Sequence, residues 1–324
     1  MLGKAPVRVA IAALAAAAAS LAAAQGWVPQ RNVEFVVPNG PGSSVDNNVR
    51  LIQRLASELK LVPVPSAVVN RVGGEHLLAY NFIRQRTGDP HYLGLATSVL
   101  LTSHISGRSP MTYTDITPIA TLSTEWTLTT VRVESPLKSG MDFIEALKKD
   151  PASLSVGYAS TTHRLAAVLP MRMAEVNIKM VRMPVFEGGK TVIMLLGGHA
   201  DVILSTFSQV FPHVESGKLR VIAVSSPKRL SGLLASAPTW EELGYKGGSG
   251  SWRSVIAPKG ITPEQVAYWE GVLQRVTASS DFRKDVENNH GETTFRGAAE
   301  TRSFMEAEYN ELKGVMAYLG LAKQ

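Results

Sequence analysis

A chain of 324 residues without cysteine has no disulfide framework, no thiolate metal site and no cysteine nucleophile to draw on. Its formal charge of +6 is spread along the sequence with no Lys/Arg block, a balance that favours small anions and gives nucleic acid little to bind. A chain of this length can bury a large core and usually splits into two domains.

The N-terminus reads as an export signal. Lys4 and Arg8 precede an apolar run from Val9 to Leu21, and Ala22-Ala23-Ala24 then supplies the small residues of a signal peptidase site before Gln25. The run is roughly a dozen residues, too short for a bilayer that needs about 20. The plainer alternative is an Ala-rich buried helix or a short anchor, but charged segment, apolar segment and cleavage site stand in the order of a signal. The expectation is a soluble exported protein, cleaved near Ala24, with no direct membrane insertion afterwards.

Short β-rich runs then alternate with helical patterns, which argues for α/β architecture with largely parallel strands. Val33–Val37 reads as a buried strand, followed by the turn-rich Pro38-Asn39-Gly40-Pro41-Gly42-Ser43-Ser44. A helix starts near Asp46, with Val49, Ile52, Leu55, Ala56 and Leu59 at helical spacing. Ala67–Val69 and Tyr92–Leu95 are further strands. A second lobe is expected to begin near Thr124. In it Ser139 caps a helix through Met141, Ile144 and Leu147, ended at Asp150-Pro151 with Lys148 and Lys149 against the negative end of the dipole. Leu154–Ala159 is a strand, Ser160-Thr161-Thr162 a polar turn and His163–Glu175 a helix. Gly188–Leu196 is helical, and Asp201–Leu204 and Leu219–Val224 are strands. The chain returns to the first lobe after Pro227, with a strand at Ser254–Ala257. Thr262-Pro263-Glu264-Gln265 then joins a capping box to a proline at the first helical position. A last helix runs from about Glu300 to Leu319.

One pattern occurs twice: strand, short polar turn, helix. The first copy runs from Val33–Val37 through Asn39, Gly40, Pro41, Gly42, Ser43 and Ser44 into the Asp46 helix. The second runs from Leu154–Ala159 through Ser160, Thr161 and Thr162 into the His163 helix. A helix N-terminus carries unpaired N–H groups and about half a positive charge, so it can hold a carboxylate or phosphate without a charged side chain. Gly40 and Gly42 would let the backbone approach a ligand closely, and the hydroxyls would add donors. The plainer reading is two ordinary βα connections with capping hydroxyls. Asp46 fits a first-turn acidic residue better than a catalytic one, and His163 is as readily structural as a donor to a ligand. Asp201, after Gly197-Gly198-His199, could order a water or bind an amine, though turn chemistry explains it as well.

Enzyme signatures are missing: no G-x-S-x-G elbow, H-E-x-x-H, Walker A or G-x-G-x-x-G motif occurs. The seven histidines are scattered, with none at metal-ligand spacing. No catalytic residue, cofactor or metal is expected.

Several stretches in fixed order resemble the substrate-binding proteins of tripartite tricarboxylate transporters, the TctC or Bug family, over essentially the whole mature length. They are Val37-Pro38-Asn39-Gly40-Pro41-Gly42-Ser43-Ser44-Val45-Asp46, Val68-Val69-Asn70-Arg71-Val72-Gly73-Gly74, Phe186-Glu187-Gly188-Gly189 and Leu196-Gly197-Gly198-His199-Ala200-Asp201. Gly217-Lys218-Leu219-Arg220 through Ala223-Val224-Ser225-Ser226-Pro227-Lys228-Arg229, Ala237-Pro238-Thr239-Trp240-Glu241-Glu242-Leu243-Gly244, Ser251-Trp252 and Ala257-Pro258-Lys259-Gly260-Ile261-Thr262-Pro263 complete the set. The resemblance implies a periplasmic two-lobed binding protein of type II-like architecture, each lobe a mixed sheet flanked by helices with a cleft between. Its lobes would comprise 25–123 with 228–324, and 124–227. It implies carboxylate capture by backbone amides and hydroxyls of the turns Asn39–Ser44 and Ser160–His163, with Thr97, Ser98, Glu187 and Gly188 completing the rim. The partners implied are a small organic anion and, transiently, the membrane subunits of the transporter, with the binding protein itself a monomer. Departures stand at Ser43 and Ser44, which replace family glycines, in the shortened second turn, and at Glu187, where the family commonly has a basic residue. They put a tricarboxylate ligand in doubt; Glu187 could disfavour a second carboxylate or favour an amine. A ligand-presenting sensor, an exported hydrolase and a degenerate member that binds nothing remain the alternatives.

Overall fold

Runs of β-branched residues ended by glycine, proline or hydroxyl turns set most element boundaries in the computed structural model, which describes residues 26–323 apart from 75, 160, 187–189, 247–249 and 290. The leader expected at 1–24 lies outside the described residues. Strand β1 (Val33–Val37) leads to helix α1 (Ser44–Glu58), then β2 (Ser66–Asn70), α2 (Leu77–Arg84), β3 (Tyr92–Ala96), α3 (Val99–Ile105) and β4 (Ile116–Glu125). A second run follows with β5 (Leu128–Arg132), α4 (Gly140–Lys149), β6 (Val156–Tyr158), α5 (Thr161–Met173), α6 (Lys190–Leu196), β7 (Val202–Ser205), α7 (Phe207–Glu215) and β8 (Leu219–Val224). The chain closes with β9 (Ser251–Pro258), α8 (Pro263–Ala278), α9 (Ser280–Asn288), β10 (Glu292–Arg296) and α10 (Ala298–Tyr318).

These strands form two sheets, ordered β10-β4-β9-β3-β1-β2 and β6-β7-β5-β8. The chain leaves the first sheet after Glu125, enters the second at Leu128, leaves it after Val224 and rejoins the first at Ser251. Pairs β1–β2, β1–β3 and β6–β7 are parallel, but β9 runs antiparallel to β3 and β4, β10 to β4, and β5 to β7 and β8. The largely parallel character expected from alternation is therefore corrected to mixed sheets. The reason is the double crossing: strands that cross over or return between sheets enter against the direction set by the βα units.

Local chemistry explains the helix ends. Ser139 caps α4 in a reciprocal box with Asp142, and Thr262 does the same for α8 with Gln265, each satisfying amides that the first turn leaves open. The α5 helix begins at Thr161, so Thr161 and Thr162 belong to its first turn and not to a preceding polar turn. Burial follows the period of each element. On β7, Val202 and Leu204 face one cluster while Ile203 faces another, the pattern of a strand covered on both sides. The largest cluster is continuous between the two sheet systems. It joins Ile83, Leu101, Met305 and Leu312 around the first sheet to Phe143, Leu147, Val168 and Met171 around the second. A separate cluster packs Ile52 and Leu55 of α1 with Trp269 and Leu273 of α8 against the opposite face of the first sheet. Each fully buried side chain of this size contributes about 1.5–3 kcal/mol.

Candidate functional site

The turn after β1 is held by one carboxylate. Asp46, 1% exposed, accepts from the Gly42 amide (2.9 Å) and Arg50 Nε (2.8 Å) on Oδ2, and from Asn70 Nδ2 (2.8 Å) on Oδ1. Asn70 Nδ2 also reaches the Asn39 carbonyl at 2.8 Å, which ties the turn to the end of β2. The Arg50 hydrogen bond, reinforced by Asn70 and Gly42, pulls the Asp46 carboxyl down to about 2. Asp46 is thus a clasp whose carboxylate ties the loop to the helix and to the end of β2. Gly42 has φ of +78°, the left-handed region, and its amide is taken by Asp46. The backbone access expected at Gly42 is therefore corrected: its glycine serves the turn conformation. Gly40 is different. Its amide has no partner among the described residues, and a Cβ built there would meet nothing within 4 Å.

The hydroxyls of this turn accept internally and keep their protons. Ser43 Oγ accepts from the Asp46 amide at 3.2 Å as the cap of α1. Ser44 Oγ accepts from Arg253 Nη2 at 2.9 Å, and the same guanidinium pairs with Glu125 Oε1 at 2.7 Å. A hydroxyl that accepts one bond still has an O–H to donate, so both serines can face an anion. Asn39 is half-buried, while Pro41 at the tip is exposed.

The turn after β3 brings Thr97 and Ser98 to the same end of the first sheet, because β1 and β3 are parallel. The Thr97 amide donates to the Tyr80 hydroxyl at 3.3 Å, and burial pushes that phenol up to about 12. Ser98 Oγ lies 2.5 Å from Thr162 Oγ1 in the first turn of α5. Ser98, Thr162 and His163 are all buried, and burial pushes the His163 imidazole down to about 4. His163 is therefore neutral at pH 7. The helix starts on the two sheets thus meet through neutral groups, and Thr161 sits half-buried beside them.

Asp201 does not join this set. Its Oδ2 accepts from the Ser155 amide at 2.8 Å, and both residues precede their strands, at the edge of the second sheet opposite Thr161. It fastens the starts of β6 and β7 together, which corrects its expected place in the cleft. Ser160, Glu187 and Gly188 lie outside the described residues. Among the described residues no group of three or more His, Asp or Glu could hold a metal, and no helix is long and apolar enough to cross a membrane. Sequence reading missed Arg253, Glu125, Arg50 and Asn70. Only Arg50 carried a local signal, the i,i+4 spacing from Asp46.

The family model described as tripartite tricarboxylate transporter family receptor, TctC, matches residues 50–321. The chain belongs to this family. Among curated relatives, protein BugT of Bordetella pertussis is 26% identical over 302 residues, covering 90% of each chain. Among solved structures, a TctC solute-binding protein from Polaromonas is 24% identical with a TM-score of 0.78, covering 90% of this chain and 99% of that one. R. palustris Rpa4515, solved with adipate, is 24% identical with a TM-score of 0.74, covering 91% of this chain and 99% of that one. The fold is the two-lobed α/β architecture of these binding proteins, one sheet to each lobe.

Proposed function

We propose that this TctC-family chain is an extracytoplasmic receptor that captures a small carboxylate by closing its lobes and delivers it to the membrane subunits of a tripartite transporter. The observation that carries the reading is the meeting of Ser98 and Thr162, which sets the helix starts of two lobes face to face through neutral donors. Oriented N–H groups and hydroxyls in a dry cleft hold a carboxylate without a compensating side-chain charge. The adipate bound to Rpa4515 supports a carboxylated ligand. The groups in contact with it are Asn39, Gly40, Ser43, Ser44, Thr97, Ser98, Thr161, Thr162 and His163, with Gly42 and Asp46 shaping the first turn.

The expected lobe bounds, 25–123 with 228–324 and 124–227, shift with the packing. Strand β4 keeps Thr124 and Glu125 in the first lobe, while Leu234, Ala237 and Trp240 pack with the second. The hinge therefore lies at the crossings after Glu125 and before Ser251. The protein works as a monomer in the periplasm after loss of its leader near Ala24; intact mass of the exported protein would reveal retained Lys4 and Arg8 if this is wrong. A thermal-shift screen with carboxylates, amino acids and aromatic acids tests the binding. A ligand at 100 times its dissociation constant stabilises the protein by about 2.7 kcal/mol. Small-angle scattering with that ligand should give a smaller radius of gyration, and an unchanged radius at saturation removes the closing clamp.

A further inference from the structure

Arg164 lies in the first turn of α5, two residues past Thr162. Its position continues the stripe formed by Ala167, Val168 and Met171, which are fully buried in the largest core cluster. At the end of that stripe its guanidinium carbon stands 5.6 Å from the centre of the Tyr158 ring, and Tyr158 is the last residue of the edge strand β6. From this edge the chain turns toward Thr162 and thus toward Ser98 of the other lobe.

Arg50, Arg229 and Arg253 each pair with a carboxylate. Arg164 has no hydrogen bond or ion pair among the described residues, and its Nε is buried without a partner. The position is electrostatically costly. A cation in a first helical turn opposes the dipole, and a partly buried guanidinium with unmet donors loses hydration. The Tyr158 face returns only about 0.5–1 kcal/mol at a partly exposed site. Neighbouring His163 is neutral, so Arg164 is the one permanent cation of that turn. A planar fork of free donors at the cleft edge fits a second carboxylate bidentately.

We propose that Arg164 determines specificity by binding the second carboxylate of a dicarboxylate, whose first carboxylate is held by the neutral donors of the first lobe. The assignment rests on the cleft being the carboxylate site proposed above. Isothermal titration of the mature protein with succinate and adipate, against butyrate and hexanoate of matching chain length, tests it. Wild type should prefer each diacid by about 10- to 100-fold, the worth of a charge-assisted bidentate contact. Arg164→Met keeps an apolar stem over Tyr158. It should lose about that factor for the diacids and change the monoacids by no more than about 3-fold, with Arg164→Lys recovering part of the loss. Thermal midpoints of the ligand-free variants report folding separately. Retained diacid preference in Arg164→Met overturns the proposal, and so does an equal loss for both classes, which marks a packing role. Wild-type binding of monoacids as tight as of diacids overturns it while leaving the carboxylate reading standing. Binding of no acid at all removes that reading and this assignment with it.

Discussion

Ser98 Oγ and Thr162 Oγ1 stand 2.5 Å apart, one at the end of a turn in the first lobe and one in the first turn of a helix in the second. Both side chains are buried, so each would be left unsatisfied if its partner lost its hydroxyl. The pair therefore joins the two sheet systems through neutral atoms, one from the helix start on each.

Thr162→Val keeps shape and removes the hydroxyl. Ligand affinity should fall by about 1–3 kcal/mol, the cost of a desolvated unmet partner. Ser98→Ala should have a comparable effect, and the double variant should cost less than the sum of the singles. A double-mutant cycle by calorimetry measures this coupling. Strict additivity would mean that the two hydroxyls do not cooperate in the bound state.

The two glycines of the first turn should separate cleanly. Gly42→Ala places a Cβ at φ of +78° and should destabilise the ligand-free protein by about 1–2 kcal/mol. At Gly40 an added Cβ meets no atom within 4 Å and φ is not positive, so the thermal midpoint of Gly40→Asp should stay near wild type. Its carboxylate should nevertheless repel an anionic ligand and abolish binding. Normal binding by Gly40→Asp would move the site away from this turn.

Acid stability should carry the signature of His163. Its imidazole titrates near 6.5 when unfolded and is pushed down to about 4 in the fold by burial. Between those values the unfolded chain binds a proton that the native state refuses. The contribution is fully present above 6.5 and is lost as pH falls through 4, on the order of 3 kcal/mol for such a shift. Urea midpoints across this window should drop in wild type and drop less in His163→Asn. Parallel slopes would place the titration elsewhere.

How much of this was legible depended on the range of the interaction. Val33–Val37 and Leu219–Val224 form strands with the bounds read from sequence, and the caps at Ser139 and Thr262 stand where their local chemistry placed them. The start of α5 was read two residues late because Thr161 and Thr162 are weak helix formers, a preference that tertiary packing overrode. The β4–β5 crossing was marked only near Thr124, since strands switching sheets carry no period of their own. Both turns of the proposed site carry local patterns of small and hydroxylated residues before a helix. Asp201 was misplaced because nearby glycines and an acidic residue look alike at either end of a sheet, and only the direction of β7 separates them. Arg253 gave no signal: it lies 209 residues from Ser44.

That long-range contact gives the last prediction. Arg253, 9% exposed, joins Ser44 at the start of α1 to Glu125, the last residue of β4 before the chain crosses to the second lobe. The crossing is tightly packed: a Cβ on Gly250 would lie 2.2 Å from Thr124 Cγ2 and 2.8 Å from the Glu125 carbonyl. The Glu125 side chain is itself buried, at 7% exposure, so removing its cation leaves a carboxylate largely shielded from water. Breaking one side of a buried pair leaves an uncompensated charge and costs about 3–5 kcal/mol, whereas replacing both partners with apolar groups is often nearly neutral. Arg253→Met should thus lower the thermal midpoint markedly, and adding Glu125→Leu should restore most of it. The double variant still lacks the donor to Ser44, so it should bind ligand more weakly than wild type despite its recovered stability. Denaturant midpoints and titration calorimetry on the same three proteins separate the two effects. A double variant as unstable as Arg253→Met would show that the guanidinium stabilises the fold through packing and not through its charge on Glu125. Recovered stability with wild-type affinity would show that the bond from Arg253 to Ser44 does nothing to hold the first turn for its ligand.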